Sequence, residues 1–127
     1  MINNRQVVVL VIEDSPSNMC LISDLLNIHG FEVRQANDEA TAMQEIDTHC
    51  PDLILMDISL IGANGLILTE KLKRNNKTKD IPIIALSAHA IEQVKEDAFE
   101  AGCAGYIVKP INTRTLPKQL LSFLKNN

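Results

Sequence analysis

The sequence predicts a doubly wound α/β domain, a sheet of five parallel strands with helices on both faces and (βα)5 order. Three observations carry that prediction. Short runs rich in Val, Ile and Leu recur along the chain, and most are continuous rather than alternating, as in strands buried on both faces. Segments with helical apolar spacing lie between them, and that alternation is the mark of βα units. The length, 127 residues, is that of one domain, whose core would bury roughly two thirds of the surface an unfolded chain exposes. Residues 1–127 therefore read as a single domain with an ordered core from about 6 to 125.

Taken in order, the strands are expected at Val7–Ile12, at the weaker alternating run Phe31–Ala36, at Leu53–Met56, at Ile81–Leu86 and at Tyr106–Val108. Leu21, Leu25 and Ile28, with Ile22 and Leu26, mark the first helix, and Gly30 stands where its C-terminal cap belongs. Asn37-Asp38 can cap the second helix, marked by Ala42, Met43 and Ile46, and Pro51 separates it from the third strand. Gly65, Leu68 and Leu72 mark the third helix. Ile91, Val94, Ala98 and Ala101 mark the fourth, which Gly102 follows. Leu116, Leu120, Phe123 and Leu124 mark the last. Pro110 ends the fifth strand, and Asn112 or Thr113 can open the final helix, but Pro117 lacks an N–H that a helix starting at Thr113 would need. The expectation is a later or distorted first turn. Right-handed crossovers then favour the flavodoxin-like strand order 2-1-3-4-5.

Composition narrows the function. Apolar residues make up 46% of the chain and charged residues 22%, the proportions of an ordinary soluble domain rather than a disordered one. No apolar run approaches the ~18 residues of a membrane span, and Met1–Arg5 lacks an apolar signal core. Twelve basic and 16 acidic residues leave a net charge of −4, against the basic excess of a nucleic-acid binder. The cluster Lys71, Lys73, Arg74, Lys77 and Lys79 reads as a solvated helix end and loop. Cys20, Cys50 and Cys103 are odd in number and far apart, which suggests reduced thiols in a cytoplasmic protein, each a small buried hydrophobe. His29 and His49 fall near helix ends as solvated or capping residues.

The informative residues stand at the strand ends. Strand 1 runs into Glu13-Asp14, strand 3 into Asp57, strand 4 into Ser87, and strand 5 into Lys109-Pro110. In this topology those ends share the sheet edge where ligands bind. Any one of them is the polar residue with which a strand commonly leaves the core. Together they crowd three carboxylates into one crevice, which raises pKa values and costs stability unless a cation offsets them. Mg²⁺, a hard ion satisfied by one or two carboxylates plus water and a phosphate oxygen, fits that set. Asp57 is then the candidate nucleophile for phosphoryl transfer, with Lys109 and Ser87 available to phosphate oxygens.

With these residues in place, the chain resembles the receiver domain of two-component response regulators, the CheY-like family, from about Val7 to Lys125. The matching blocks are Val-Ile-Glu-Asp-Ser-Pro-Ser-Asn at 11–18, Asp-Leu-Ile-Leu-Met-Asp-Ile at 52–58, Asn-Gly at 64–65, Ile-Pro-Ile-Ile-Ala-Leu-Ser-Ala at 81–88 and Ala-Gly-Cys-Ala-Gly-Tyr-Ile-Val-Lys-Pro-Ile at 101–111. The first and fourth look most like DivK-type single-domain regulators and hybrid-kinase receivers. The resemblance implies that Asp57 is the phosphoacceptor. It implies that Glu13, Asp14, Asp57 and the backbone carbonyl of Ser59 hold Mg²⁺. Ser87 takes the place of the switch hydroxyl, Lys109 that of the invariant lysine and Tyr106 that of the switch aromatic. It implies a cis Lys109-Pro110 bond. His89 falls where the family tunes the lifetime of its phosphoryl group, but it reads first as an exposed loop histidine. The chain departs from the family at Leu60-Ile61, where Met-Pro or Leu-Pro is common.

The resemblance further implies a histidine kinase or histidine phosphotransfer protein as donor, a downstream protein as reader of a surface made by helix 4, strand 5 and helix 5, and a monomer or weak dimer without nucleic acid or membrane. Such a chain is no enzyme beyond its own phosphorylation and dephosphorylation. Two other classes compete. An aspartyl-phosphate phosphatase of the haloacid-dehalogenase type wants a second Asp two residues after the nucleophile, where Ser59 stands. A flavodoxin-like electron carrier wants a Ser/Thr/Gly phosphate loop where Glu13-Asp14 would repel it. A phosphorylation-independent interaction module stays within the family, and the full set of Glu13, Asp14, Asp57, Ser87 and Lys109 argues against it.

Overall fold

Continuous apolar runs do form the central strands. The structure is a computed structural model that describes residues 6–58, 63–88 and 90–125. Its strands are β1 (Val8–Ile12), β2 (Glu32–Ala36), β3 (Leu53–Asp57), β4 (Ile83–Ser87) and β5 (Gly105–Val108), and its helices are α1 (Pro16–Ile28), α2 (Glu39–Thr48), α3 (Ala63–Arg74), α4 (Glu92–Ala101) and α5 (Leu116–Lys125). All strand pairs are parallel, in the order β2-β1-β3-β4-β5. Every residue of β1, β3 and β4 is buried. The alternating β2 and the short β5 lie at the two edges, where one side of the strand lacks a neighbour.

The two sheet faces carry separate cores. One joins Leu10, Ile12, Ile54, Met56, Ile83 and Ala85 to Ala42 and Ile46 of α2, Leu68 and Leu72 of α3 and Ala98 of α4. The other joins Val9, Val11, Leu53, Leu55, Ile84 and Leu86 to Met19, Ile22 and Leu26 of α1 and Leu116 and Leu120 of α5. Alternate residues of one strand thus feed opposite layers, which a parallel sheet requires.

Asp38, Gly30 and Gly102 end or cap helices as the sequence predicts, and the first helix has a cap the sequence reading did not name. Ser15 caps α1 with Pro16 just inside it, a position where the missing N–H has no helical partner to lose. The Asp38 carboxylate accepts the Thr41 N–H at 2.8 Å, and that bond holds it below the ordinary carboxylate range. Gly30 and Gly102 take positive φ, 89° and 115°, as helix-ending residues without a Cβ can. The last helix starts late, as Pro117 demands. Residues 113–115 form a turn in which Thr115 and Leu116 N–H groups donate to the Asn112 carbonyl and Arg114 N–H donates to its side chain. Beginning at Leu116 puts Pro117 in the first turn, where no N–H is required.

Two expectations need correction. Cys103 is buried, but Cys20 and Cys50 are exposed, one on the outer face of α1 and one in the turn before β3. The basic cluster is also not uniformly solvated. The Lys73 ammonium donates to the carbonyls of Lys79 and Ile81 at 3.0 and 2.6 Å, so it ties the α3–β4 loop to its own helix. Lys71 does lie on the surface, paired with Glu39 at 3.0 Å.

Candidate functional site

The parallel registers set the site. Ile12 pairs with Met56, and Asp57 with Leu86, so the residues that follow β1, β3 and β4 emerge at one edge. Ser87 pairs with Val108, and the next N–H, that of Lys109, donates to the Ser87 carbonyl at 2.8 Å. Strand ends on four neighbouring strands therefore converge without any help from the loops. The Lys109-Pro110 peptide is cis, as the resemblance implies.

Glu13 and Asp57 are both buried, and the Lys109 ammonium reaches both. It is 3.3 Å from Glu13 Oε1 and directly bonded to Asp57 Oδ2. The second Glu13 oxygen accepts the Ser15 N–H at 3.1 Å. Burial pushes the Glu13 carboxyl up to about 7, with the hydrogen bond and charge of Asp57 adding to the rise and Ser15 and Lys109 opposing it. Burial pulls Lys109 down, but its bonds to Asp57 and Glu13 outweigh that and hold its pKa above the ordinary lysine value. One ammonium thus answers two carboxylates that water does not reach, and the cluster has room for further positive charge.

Ser87 is buried at the end of β4. Asp14 is exposed and lies on the rim of an adjoining cleft of about 320 Å³ whose lining includes Glu13, Pro16, Gln35, Asn37 and Thr41. Tyr106 is half-buried against the core under α2, α3 and α4 and also lines a smaller cleft of about 210 Å³ with Ile91, Lys95 and Val108. The structure thus brings Glu13, Asp57 and Lys109 into contact, sets Ser87 beside Lys109 through the backbone, and keeps Asp14 at the rim and Tyr106 at the margin. Ser59 and His89 lie outside the described residues. The cleft beside Asp14 escaped sequence reasoning, because it joins the β1–α1 and β2–α2 turns and no spacing rule links those segments.

The donor set suits a hard divalent ion. All candidate ligands are oxygens, and two carboxylates that converge on one point with a single lysine between them are the environment in which Mg²⁺ binds with water completing its shell. Among the described residues, no three acidic, His or Cys side chains stand close enough together to cage a metal by themselves, and Mg²⁺ does not need such a cage.

The family model described as response regulator receiver domain matches residues 9–121. The polar-differentiation response regulator DivK of Brucella anthropi is 36% identical over 116 residues, covering 91% of this chain and 94% of that protein. Among solved structures, the chemotaxis protein CheY4 of Vibrio cholerae superposes with a TM-score of 0.86 at 27% identity, over 93% of this chain and 98% of that one. The receiver domain of a sensor histidine kinase from Pseudomonas aeruginosa, whose active-site cleft coordinates a magnesium ion, superposes with a TM-score of 0.84 at 28% identity, over 95% and 99% of the two chains.

Proposed function

Because this chain belongs to the response regulator receiver domain family, we propose that it is a phosphorylation-controlled switch of a two-component phosphorelay, with Asp57 as its phosphoacceptor. The observation that carries the reading is the buried contact of Glu13 and Asp57 with Lys109 at the carboxyl edge of the sheet. The donor is a phosphohistidine on a histidine kinase or phosphotransfer protein. The Asp57 carboxylate attacks phosphorus, the P–N bond breaks as the O–P bond forms, and the imidazole leaves with its electron pair.

Each residue has a part in that transfer. Lys109 moves from the carboxylates to a phosphoryl oxygen and neutralises part of its charge. The Ser87 hydroxyl donates to another phosphoryl oxygen. The side chains of Glu13, Asp14 and Asp57 and the Ser59 carbonyl would hold Mg²⁺, which when bound supplies positive charge against the transferred group. Movement of Ser87 draws Tyr106 inward from its half-buried position, and the surface of α4, β5 and α5 changes partner. The phosphoryl group thereby biases an existing equilibrium between two states. The protein works in the cytoplasm as a monomer or weak dimer and turns over no external substrate.

The test is intact mass after incubation with acetyl phosphate and Mg²⁺. A gain of about 80 Da is expected, the mass of one phosphoryl group, lost when Mg²⁺ is chelated and absent from Asp57→Asn. A protein that gains no mass, and forms no beryllofluoride complex either, would overturn the reading in favour of a phosphorylation-independent interaction module.

A further inference from the structure

Asp57 sits where the sheet begins to let go of β3. Pairing with β1 stops at Met56, and only the β4 ladder continues to Asp57. Two contacts from α3 fall on the residues immediately before and after it. Gly65, in the first turn of α3, lies so near β3 that an added Cβ would come within 3.2 Å of the Ile58 Cα, a backbone atom that cannot swing aside. One turn later Thr69, fully buried, donates its hydroxyl to the Gly65 carbonyl at 2.9 Å and stands 3.4 Å from the Met56 sulfur.

A threonine in a helix interior commonly bonds back to the carbonyl four residues earlier. Here the same hydroxyl also faces the thioether of the strand below, a weak acceptor in an otherwise apolar core. Replacing Thr69 by an isosteric valine would keep the volume and remove the hydroxyl that bonds the Gly65 carbonyl and touches the Met56 thioether of β3. A hydroxyl placed there for packing alone has no reason to be preferred over a methyl group, since its burial costs free energy unless it is bonded.

We propose that Thr69 and Gly65 are positioning residues that clamp α3 onto Met56 and Ile58 and so fix the height of the Asp57 carboxylate against Glu13 and Lys109. The clamp acts on the site of the preceding subsection and rests on that reading for its functional meaning, but its structural effect can be measured apart from it.

The experiment compares wild type with Thr69→Val, Thr69→Ser and Gly65→Ala by amide hydrogen exchange and Mg²⁺ titration, each followed residue by residue by NMR. In Thr69→Val, exchange at Asp57 and Ile58 should accelerate about fivefold relative to Val9–Val11 of β1, the scale set by one buried hydrogen bond. The Mg²⁺ half-saturation should rise severalfold, and Thr69→Ser should restore both. Gly65→Ala, which lifts the helix from Ile58 without touching the hydroxyl, should show the same local pattern and decides the matter if the valine variant fails to fold. Equal acceleration in both strands would mean a plain loss of stability and would overturn the clamp, as would no acceleration at all. A wild type that binds neither Mg²⁺ nor a phosphoryl donor would sink the functional reading instead, and the exchange pattern would still decide the clamp.

Discussion

Lys109 holds the site together in the absence of metal, because two buried carboxylates share its single charge. Removing one partner of such a group leaves charge buried and unanswered, at a cost of about 3–5 kcal/mol. Lys109→Ala should therefore lower unfolding stability by that order in Mg²⁺-free urea titrations, and added Mg²⁺ should return part of the loss. A loss under about 1 kcal/mol, the scale of an exposed ion pair, would mean that the cluster is solvated. Glu13 sets a pH dependence of definite sign. Its carboxyl is raised from 4.5 to about 7, by burial first and by Asp57 next, so the folded chain binds that proton more tightly than the unfolded one. The stability it contributes is complete below about pH 4.5 and is lost as pH rises through about 7. In Mg²⁺-free buffer the urea midpoint should fall across that window, and the fall should be smaller in Glu13→Gln. Identical slopes for the two proteins would contradict a Glu13 carboxyl raised by burial.

Elements owe their placement to bonds that the residue types alone do not announce. The two lysines Lys71 and Lys73 differ by two positions and do different things. Lys71 makes an exposed pair with Glu39, whereas Lys73 reaches the Lys79 and Ile81 carbonyls from a partly buried position. Its stem also packs where a Cβ on Gly102 would fall, 2.6 Å from its Cγ, so the end of α3, the loop into β4 and the end of α4 meet on one side chain. Lys73→Met should cost about 1.5–3 kcal/mol, the worth of a hydrogen bond from a charged donor, and Lys71→Met well under 1 kcal/mol. Parallel urea titrations of the two variants check the order, and equal losses would show that the latch contributes nothing. The same contrast explains what sequence reading could and could not reach at this scale. Asp38, Gly30, Gly102 and Pro117 act through their own backbone chemistry, so their places could be read directly. Lys73 acts through carbonyls six and eight residues away, and a lysine in a basic cluster carries no mark of that. Nor does Thr69, whose partner Met56 lies on another element, and Cys20 and Cys50 match Cys103 in type while facing water.

At the scale of the whole molecule, topology does the work of assembly. Glu13, Asp57, Ser87 and Lys109 are spread over most of the chain, yet parallel pairing in the order β2-β1-β3-β4-β5 brings all four to one edge. That much was legible, because continuous apolar runs name the strands and each run ends in its polar residue. The sharing of one lysine by two carboxylates, and the exposure of Asp14 on the rim of an adjoining cleft, were not, since they depend on rotamers and turn paths. Because the folded site gathers ligands that the unfolded chain scatters, Mg²⁺ should stabilise the entire fold by linkage, about 2.7 kcal/mol at a hundredfold excess over its dissociation constant. Thermal unfolding with and without Mg²⁺ should show that gain in wild type and its reduction in Asp57→Asn, and a gain undiminished in the variant would place the ion elsewhere. If Asp57 is the phosphoacceptor, the phosphate must be found on its carboxylate after phosphorylation. Protein treated with acetyl phosphate and Mg²⁺, reduced at once with borohydride and digested, should contain homoserine at position 57 and unreduced Glu13 and Asp14. Homoserine at position 14, hydroxynorvaline at position 13, or all three carboxylates unreduced in protein that has gained the phosphoryl mass, would contradict that assignment.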